Sequence, residues 1–220
     1  MSINKAKFFL NDILLEFDND ILLFNINQNN LKNFLISYKN LPEIENVCDK
    51  IIFPEILKIV QYDIDKFDFI VQSKLKSEIN NCESRYKFLF IHITNYIQNN
   101  VYEHFNLVII DYKKKEIERF DTRNERKYYG KYVMDKFLKK LFDSFNLSFK
   151  IKHPKKFISE KEDSKELDLG LCVPLSLLYG YLKIIYSLKL EEVNKLLMSY
   201  SDKDLFRISN WFLSKLKKNF

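Results

Sequence analysis

The spacing of hydrophobic and polar residues changes along the chain from a helical pattern to a strand-like one. From about 41 to 79 the apolar positions are mostly helically spaced, with a break at Pro54. From 86 to 97 aromatic and β-branched residues predominate, which is typical of a strand. The apolar run 105–110 predicts a strand buried on both faces, and 116–120 predicts its partner after a polar turn.

Helical spacing returns in the second half of the chain. A charged, loop-like segment at 154–169 separates the predicted elements there. Those elements are helices at 125–145, 172–190, 191–199 and 204–218 and a short strand at 147–151. Helices at both ends and strands in the middle predict an α+β fold.

Composition places the chain among globular proteins, since 46% of its 220 residues are hydrophobic. Residues with AT-rich codons are abundant and Gly and Pro are scarce, which suggests the genome of a large DNA virus or an intracellular parasite. The net charge of +6 is spread over small groups of lysines, so nucleic acid is not the favoured partner. No apolar run is long enough to span a membrane, and the N-terminal acidic residues are unlike a secretory signal.

The cysteines are Cys48, Cys82 and Cys172, an odd number without regular spacing. This pattern argues against a disulfide framework, and it predicts a reducing, cytoplasmic location. No Cys-x-x-Cys or paired-His motif indicates zinc, so the sequence predicts neither a metal nor a cofactor.

A histidine and an aspartate are predicted to share one face of the central hairpin. If 113–114 form a two-residue turn, Asn106 lies opposite Asp121, and His104 shares their face. An aspartate beside a histidine fixes the tautomer of the imidazole and stabilises its protonated form. Each residue alone also has a simpler explanation, as a surface histidine and a turn aspartate.

Cys172 is predicted to begin the long apolar helix. Gly170 permits a sharp turn before it, and Pro174 is tolerated in the first helical turn. At a helix N-terminus the dipole and the free N–H groups favour a thiolate, the form of cysteine that acts as a nucleophile. The alternative is a small buried core residue, which is common for a free cysteine.

These residues resemble the motifs of a protease family. The matching positions are His104 and Asn106, Arg119-Phe120-Asp121, and Gly170, Cys172, Ser176 and Tyr179. In this order they resemble the papain-like clan of SUMO-specific and adenovirus-type cysteine proteases, above all its versions from large DNA viruses. The resemblance covers about 88–182. It implies a papain-like fold with a small mixed sheet flanked by helices and the nucleophile at the start of a central helix.

The resemblance implies a thiol protease with Cys172 as nucleophile, His104 as base and Asp121 as the residue that orients the base. The implied substrates are ubiquitin-like modifiers or viral precursor proteins, cleaved at peptide or isopeptide bonds after glycine, in the host cytoplasm or the virion. We expect 86–220 to be the catalytic core within a single compact unit. Residues 1–85 are expected to be a mostly helical accessory or substrate-binding part.

Two other functions stay open. The family has a glutamine a few residues before its cysteine as an oxyanion donor, whereas this chain has Glu166 there. We therefore name Glu166 and Asn106 as auxiliary residues of the site, and we keep open a catalytically inactive relative that binds a ubiquitin-like or viral protein. The third candidate is a basic virion protein associated with nucleic acid.

Overall fold

The structure is a computed structural model. It describes residues 2–16, 37–38, 41, 57–63, 66–70, 86–97, 100–122, 133–152 and 171–217. Of the described residues between 57 and 104 it describes the backbone alone. It divides the chain into two compact units. Met1–Val47 and Pro154–Phe220 form one, which we call the helical unit, and Cys48–His153 form the other, which we call the sheet unit.

The sheet unit contains a mixed six-stranded sheet with the strand order β2-β1-β3-β4-β5-β6. Its strands are β1 (Leu57–Asp63), β2 (Lys66–Ile70), β3 (Tyr86–Ile97), β4 (Asn100–Asp111), β5 (Glu116–Phe120) and β6 (Lys150–Lys152). The pairs β1–β3 and β5–β6 are parallel, and the other neighbouring strands are antiparallel. A helix, α2 (Val133–Ser144), precedes β6. The chain is thus a mixed α/β protein.

Strands β1 and β2 correct the prediction of helix for this part of the chain. The alternation Lys66-Phe67-Asp68-Phe69 has the two-residue period of a strand. Pairing also stabilises the extended conformation, because β1 has β2 on one side and β3 on the other. Tertiary pairing of this kind overrides weak local preference, so β1 and β2 are strands although the helical spacing of 41–79 predicts helix there.

The hairpin β4–β5 forms as the sequence predicts. Residues 105–110 are all buried, as expected for a strand covered on both faces. The pairs run from Asp111↔Glu116 to Leu107↔Phe120, which is the predicted register. In the turn, Lys115 has a left-handed backbone (φ 54°), and the backbone N–H of Lys114 donates to Asp111 Oδ1 at 3.0 Å.

The helical unit is built around one buried helix, α3 (Cys172–Tyr186), whose residues from Cys172 to Ile184 are all buried. It packs against α1 (Ser2–Glu16), α4 (Leu190–Met198) and α5 (Asp202–Lys217). The start of α3 at Cys172 confirms the predicted start of this helix. Among the helices that the structure describes, none is long and apolar enough to cross a bilayer.

The structure divides the chain into two compact units. The sequence predicts a single compact unit instead, in which an accessory part ends and the catalytic core begins near residue 85. Side-chain contacts explain why α1 belongs with the C-terminal helices. Tyr200 Oη donates to Asn11 Oδ1 at 2.9 Å, and Arg207 Nη2 donates to the Leu14 carbonyl at 2.8 Å. The N-terminal segment is therefore part of the helical unit, whereas β1 and β2 belong to the sheet unit.

Candidate active site

Asn106 and Asp121 lie opposite each other at the open end of the β4–β5 hairpin. The last backbone pair of the ladder at this end is Leu107↔Phe120, and one further step in the same register places Asn106 opposite Asp121. Side chains opposite each other on antiparallel strands share a face. Both residues are fully buried.

Arg119 connects these two side chains. Its Nη1 donates to Asn106 Oδ1 at 3.0 Å and to Asp121 Oδ2 at 2.9 Å. Its Nε donates to Asp135 Oδ1 on α2 at 3.1 Å. We call Arg119, Asn106, Asp121 and Asp135 the Arg119 cluster. It joins two strands and a helix of the sheet unit.

The Arg119 cluster is a buried ionic network. Arg119 and Asp121 have no exposed side-chain surface, and the Asp135 side chain is 18% exposed. Charges removed from water need compensation by an opposite charge and by hydrogen bonds, and this guanidinium supplies both to Asp121. The cluster therefore compensates the charge of the buried Asp121 carboxylate and fixes its orientation.

The contact with Arg119 also fixes the amide of Asn106. A guanidinium only donates hydrogen bonds, so the amide oxygen must face it and the amide nitrogen must point away. That nitrogen, Nδ2, is buried and has no hydrogen-bond partner in the part of the chain that the structure describes. Asn106 thus offers a buried donor next to Asp121.

His104 lies on β4, two residues before Asn106, and its backbone pairs with Ile93 of β3. Residues two apart on a strand project from the same face, so His104 belongs to the face of Asn106 and Asp121. The structure describes only its backbone. The contact between the His104 ring and the Asp121 carboxylate stays a prediction.

Cys172 is the first residue of α3, has a free thiol and is 7% exposed. The residue before it, Leu171, has no side-chain acceptor to cap the helix, and the first intrahelical bond runs from the Leu175 N–H to the Leu171 carbonyl at 3.0 Å. Pro174 has no N–H, so it removes one of the donors that the first turn would leave unsatisfied. The backbone N–H groups at Cys172 and Val173 point along the helix axis from this end.

The predicted site residues are divided between the two units. Cys172 belongs to the helical unit, and His104, Asn106 and Asp121 belong to the sheet unit. The structure brings together Asn106 and Asp121. Glu166 lies outside the described residues. The convergence of Cys172 with His104 and Asp121, and the role of Glu166, stay predictions.

Two members of the cluster were not predicted as site residues from the sequence: Arg119, which was named only as a position of the family motif, and Asp135. Arg119 had a usable signal, because a charged residue between the apolar Ile117 and Phe120 on a predicted central strand must be paired if it is buried. The sequence contains no such signal for Asp135, because its contact with Arg119 depends on how α2 packs against the sheet. Among the residues that the structure describes, no group of three or more His, Cys, Asp or Glu could hold a metal ion.

Neither a family model nor a curated protein matches this chain. Two solved structures of the SUMO protease Ulp1 overlay on it. One, with the catalytic cysteine oxidised to a sulfenic acid, has a TM-score of 0.38 and 18% identity over 64% of this chain and 58% of that chain. The other, with a sulfonic acid, has a TM-score of 0.31 and 17% identity over 63% of this chain and 58% of that chain. The chain thus spans less than two thirds of the solved structures it overlays.

Proposed function

We propose that this chain is a papain-like cysteine protease in which Cys172 is the nucleophile, His104 the base and Asp121 the residue that orients the base. The observation that carries the proposal is the buried Asp121 carboxylate opposite Asn106, held by Arg119 on the face to which His104 belongs. A fully buried carboxylate beside a histidine position is what the orienting member of a catalytic triad requires. The position of Cys172 as the first residue of α3 adds support from the other unit.

In the proposed mechanism the Cys172 thiolate attacks the carbonyl carbon of the scissile bond. The protonated His104 then gives its proton to the leaving amine as the C–N bond breaks, which leaves a thioester on Cys172. His104 next takes a proton from water, whose oxygen attacks the thioester. The acid product leaves, and the proton returns the site to its thiolate–imidazolium form. Asp121 keeps the imidazole in the required tautomer throughout.

Negative charge on the carbonyl oxygen needs a donor during both attacks. The backbone N–H groups of the first turn of α3 are proposed to provide it, because Leu171 leaves them without a side-chain cap. Asn106 Nδ2 is a proposed auxiliary donor. Glu166 takes the position where the family has a glutamine, and as an ionised carboxylate it would repel the developing charge.

We propose protein substrates: ubiquitin-like modifiers or viral precursor proteins, cleaved at peptide or isopeptide bonds after glycine. The basis is the similarity of the motifs around His104, Asp121 and Cys172 to those of SUMO-specific and adenovirus-type proteases, including versions from large DNA viruses. A reducing cytoplasm, or a virion, is the proposed location, since a thiolate nucleophile must stay reduced.

The test uses SUMO and ubiquitin carrying an electrophile in place of the C-terminal carboxylate. The expected result is a covalent adduct with the wild-type protein, seen as a mass increase of one modifier. Cys172→Ala should give no adduct, and His104→Ala should reduce the labelling rate strongly. Cys48→Ser and Cys82→Ser are matched controls that should label normally.

Two outcomes would favour the other functions. A protein that binds the modifier without forming an adduct would be the inactive, binding relative. A protein that forms no adduct and binds DNA with a steep salt dependence would be the nucleic-acid-associated protein instead. An adduct that forms on Cys48 or Cys82 would show that Cys172 is not the nucleophile.

A further inference from the structure

Arg119 is the only described residue whose side chain is hydrogen-bonded both to Asn106 and to Asp121. We propose that Arg119 is a positioning residue: it holds the Asp121 carboxylate, and through it the imidazole of His104, in the geometry that the reaction needs. This inference rests on the proposed function and extends it to a residue outside the triad.

The geometry of the guanidinium carries the argument. Nη1 has two hydrogens and donates them to Asn106 Oδ1 and Asp121 Oδ2. Asn106 lies on β4 and Asp121 directly follows β5, so the two acceptors come from the two arms of the hairpin. Nε lies in the same rigid plane and donates to Asp135 Oδ1. A third contact on a different element, α2, therefore stops the plane from rotating. Because this plane is fixed, the position of Asp121 Oδ2, which accepts from Arg119, is fixed as well. The direction in which the other carboxylate oxygen, Oδ1, points is then also determined.

Lysine cannot reproduce this arrangement. An ammonium group is a point charge on a flexible stem, whereas the guanidinium donates in fixed directions from one plane. A lysine at 119 would keep the positive charge but would not hold Asn106, Asp121 and Asp135 at the same time. Arg119→Lys thus separates the charge of the residue from its geometry.

A second variant removes the hydrogen bonds of Arg119 and keeps the net charge of the Arg119 cluster. The cluster contains one guanidinium and two carboxylates, so it has one more negative than positive charge. The double variant Arg119→Met with Asp135→Asn removes one charge of each sign and leaves that excess unchanged. Methionine is of similar length to arginine and donates no hydrogen bond, so the hydrogen bonds that hold Asn106 and Asp121 are lost.

The control variant removes an ion pair elsewhere in the same sheet. Lys152 Nζ lies 2.6 Å from Glu116 Oε1 between β6 and β5, and both side chains are partly exposed. Lys152→Met breaks this pair and leaves the Arg119 cluster untouched. It should label at the wild-type rate.

The experiment uses SUMO or ubiquitin carrying a C-terminal electrophile, which we call the modifier probe. The rate of adduct formation is measured at several probe concentrations, so that the maximal rate and the half-saturating concentration are obtained separately. A misplacement of about 1 Å in a catalytic group costs about 100-fold in rate, and we expect a loss of this order for the double variant. Arg119→Lys should lose about 10-fold. The half-saturating concentration should change less than about threefold, because modifier binding is not affected.

A spectroscopic measurement tests the same inference without the reaction. The proton between an imidazole and a carboxylate gives a far-downfield NMR signal, which should be present in the wild type and in Lys152→Met. It should be lost in the double variant and in Asp121→Asn. A purely structural role for Arg119 predicts lower thermal stability together with an unchanged signal and maximal rate.

The outcomes separate this inference from the function it extends. A labelled wild type with unchanged maximal rates in both Arg119 variants overturns the role of Arg119 and leaves the protease function standing. An unlabelled wild type overturns both. If the double variant does not fold, Arg119→Lys decides: a reduced maximal rate with the wild-type fold supports the inference, and a wild-type rate overturns it.

Discussion

Arg119 and Asp121, two residues apart on the same face of the hairpin, form a 2.9 Å ion pair in which neither side chain has exposed surface. Breaking a buried pair leaves an uncompensated charge, which costs about 3–5 kcal/mol of unfolding free energy. Asp121→Asn should cost about 3 kcal/mol, at the lower end, because Asp135 continues to balance Arg119. Urea unfolding of the variant and the wild type measures this difference.

The partly exposed pair Lys152–Glu116 is the control for this measurement. Pairs in contact with water contribute about 0–1 kcal/mol. Glu116→Gln should therefore change the unfolding free energy by less than about 1 kcal/mol. Equal losses for Asp121→Asn and Glu116→Gln would mean that burial does not strengthen the Arg119–Asp121 pair.

The three triad residues should differ in the activity that remains after substitution. Cys172→Ala and His104→Ala remove groups that form or break bonds, so both should abolish labelling by the modifier probe. Asp121→Ala should retain measurable labelling, because Asp121 orients the base without exchanging a proton. Labelling rates of the three variants, compared at one probe concentration, check this order. An Asp121→Ala protein as inactive as Cys172→Ala would contradict it.

Substitution of Glu166 by glutamine should increase activity. A preorganised donor at the developing oxyanion lowers the barrier by about 3–4 kcal/mol, and an amide at 166 could donate where a carboxylate repels. The gain should be clearest at neutral pH and above, where a carboxylate is ionised. Turnover of a glycine-ended peptide across pH measures it, with Glu162→Gln from the same charged stretch of sequence as control. An unchanged rate in an active enzyme would exclude Glu166 from the oxyanion site.

Tyr200 should make the helical unit less stable at alkaline pH. Burial raises the pKa of Tyr200, and the nearby negative charge of Asp204 raises it further. Its stabilising effect is thus complete below the unfolded value of about 10 and is lost as pH rises from there through the folded value. Tyr200→Phe loses the hydrogen bond to Asn11, which costs about 1 kcal/mol at neutral pH.

Urea unfolding of wild type and Tyr200→Phe at about pH 8 and about pH 11 tests this pH dependence. The advantage of the wild type over the variant should shrink or reverse at the higher pH. The difference between the two proteins isolates Tyr200 from the other groups that titrate in this range. A difference that is constant with pH would contradict the prediction.

Replacing Ser187 by glycine should stabilise the end of α3. Ser187 has a left-handed backbone (φ 54°, ψ 33°), which costs a residue with a Cβ about 1–2 kcal/mol. Glycine has more backbone entropy to lose, so we expect a net gain of about 0.5 kcal/mol in unfolding free energy. Ser199→Gly is the matched control and should destabilise, since Ser199 ends α4 with a right-handed backbone (φ −79°). A loss at both positions would show that strain at Ser187 is negligible.

The part of the fold that was predicted correctly depends on local pattern. Long runs of apolar residues with a clear period predict a single type of secondary structure. Such runs predicted strand β3, the hairpin β4–β5 and the start of α3. The hairpin register followed from the turn length alone, and this was enough to set Asn106 opposite Asp121. Strands β1 and β2 were missed because a short alternating segment depends on its partners for stability, and those partners lie elsewhere in the chain.

The Arg119 cluster shows the same limit in the candidate site. Alternation along β5 is sufficient to place Arg119 and Asp121 on one face. It gives no indication that α2 brings Asp135 to the same guanidinium. The position of His104 on β4, two residues before Asn106, was predictable because it depends only on the local strand pattern.

The helical unit takes its helices from both ends of the sequence, while the sheet unit is one uninterrupted stretch between them. During synthesis the residues of the sheet unit are complete before α3 has been translated, so they can pair early. The apolar side of α1 has to wait for α3 and α5, and closing so long a loop slows folding. We therefore expect the sheet unit to become protected from hydrogen exchange first, with α1 in an aggregation-prone state until the last helices emerge from the ribosome.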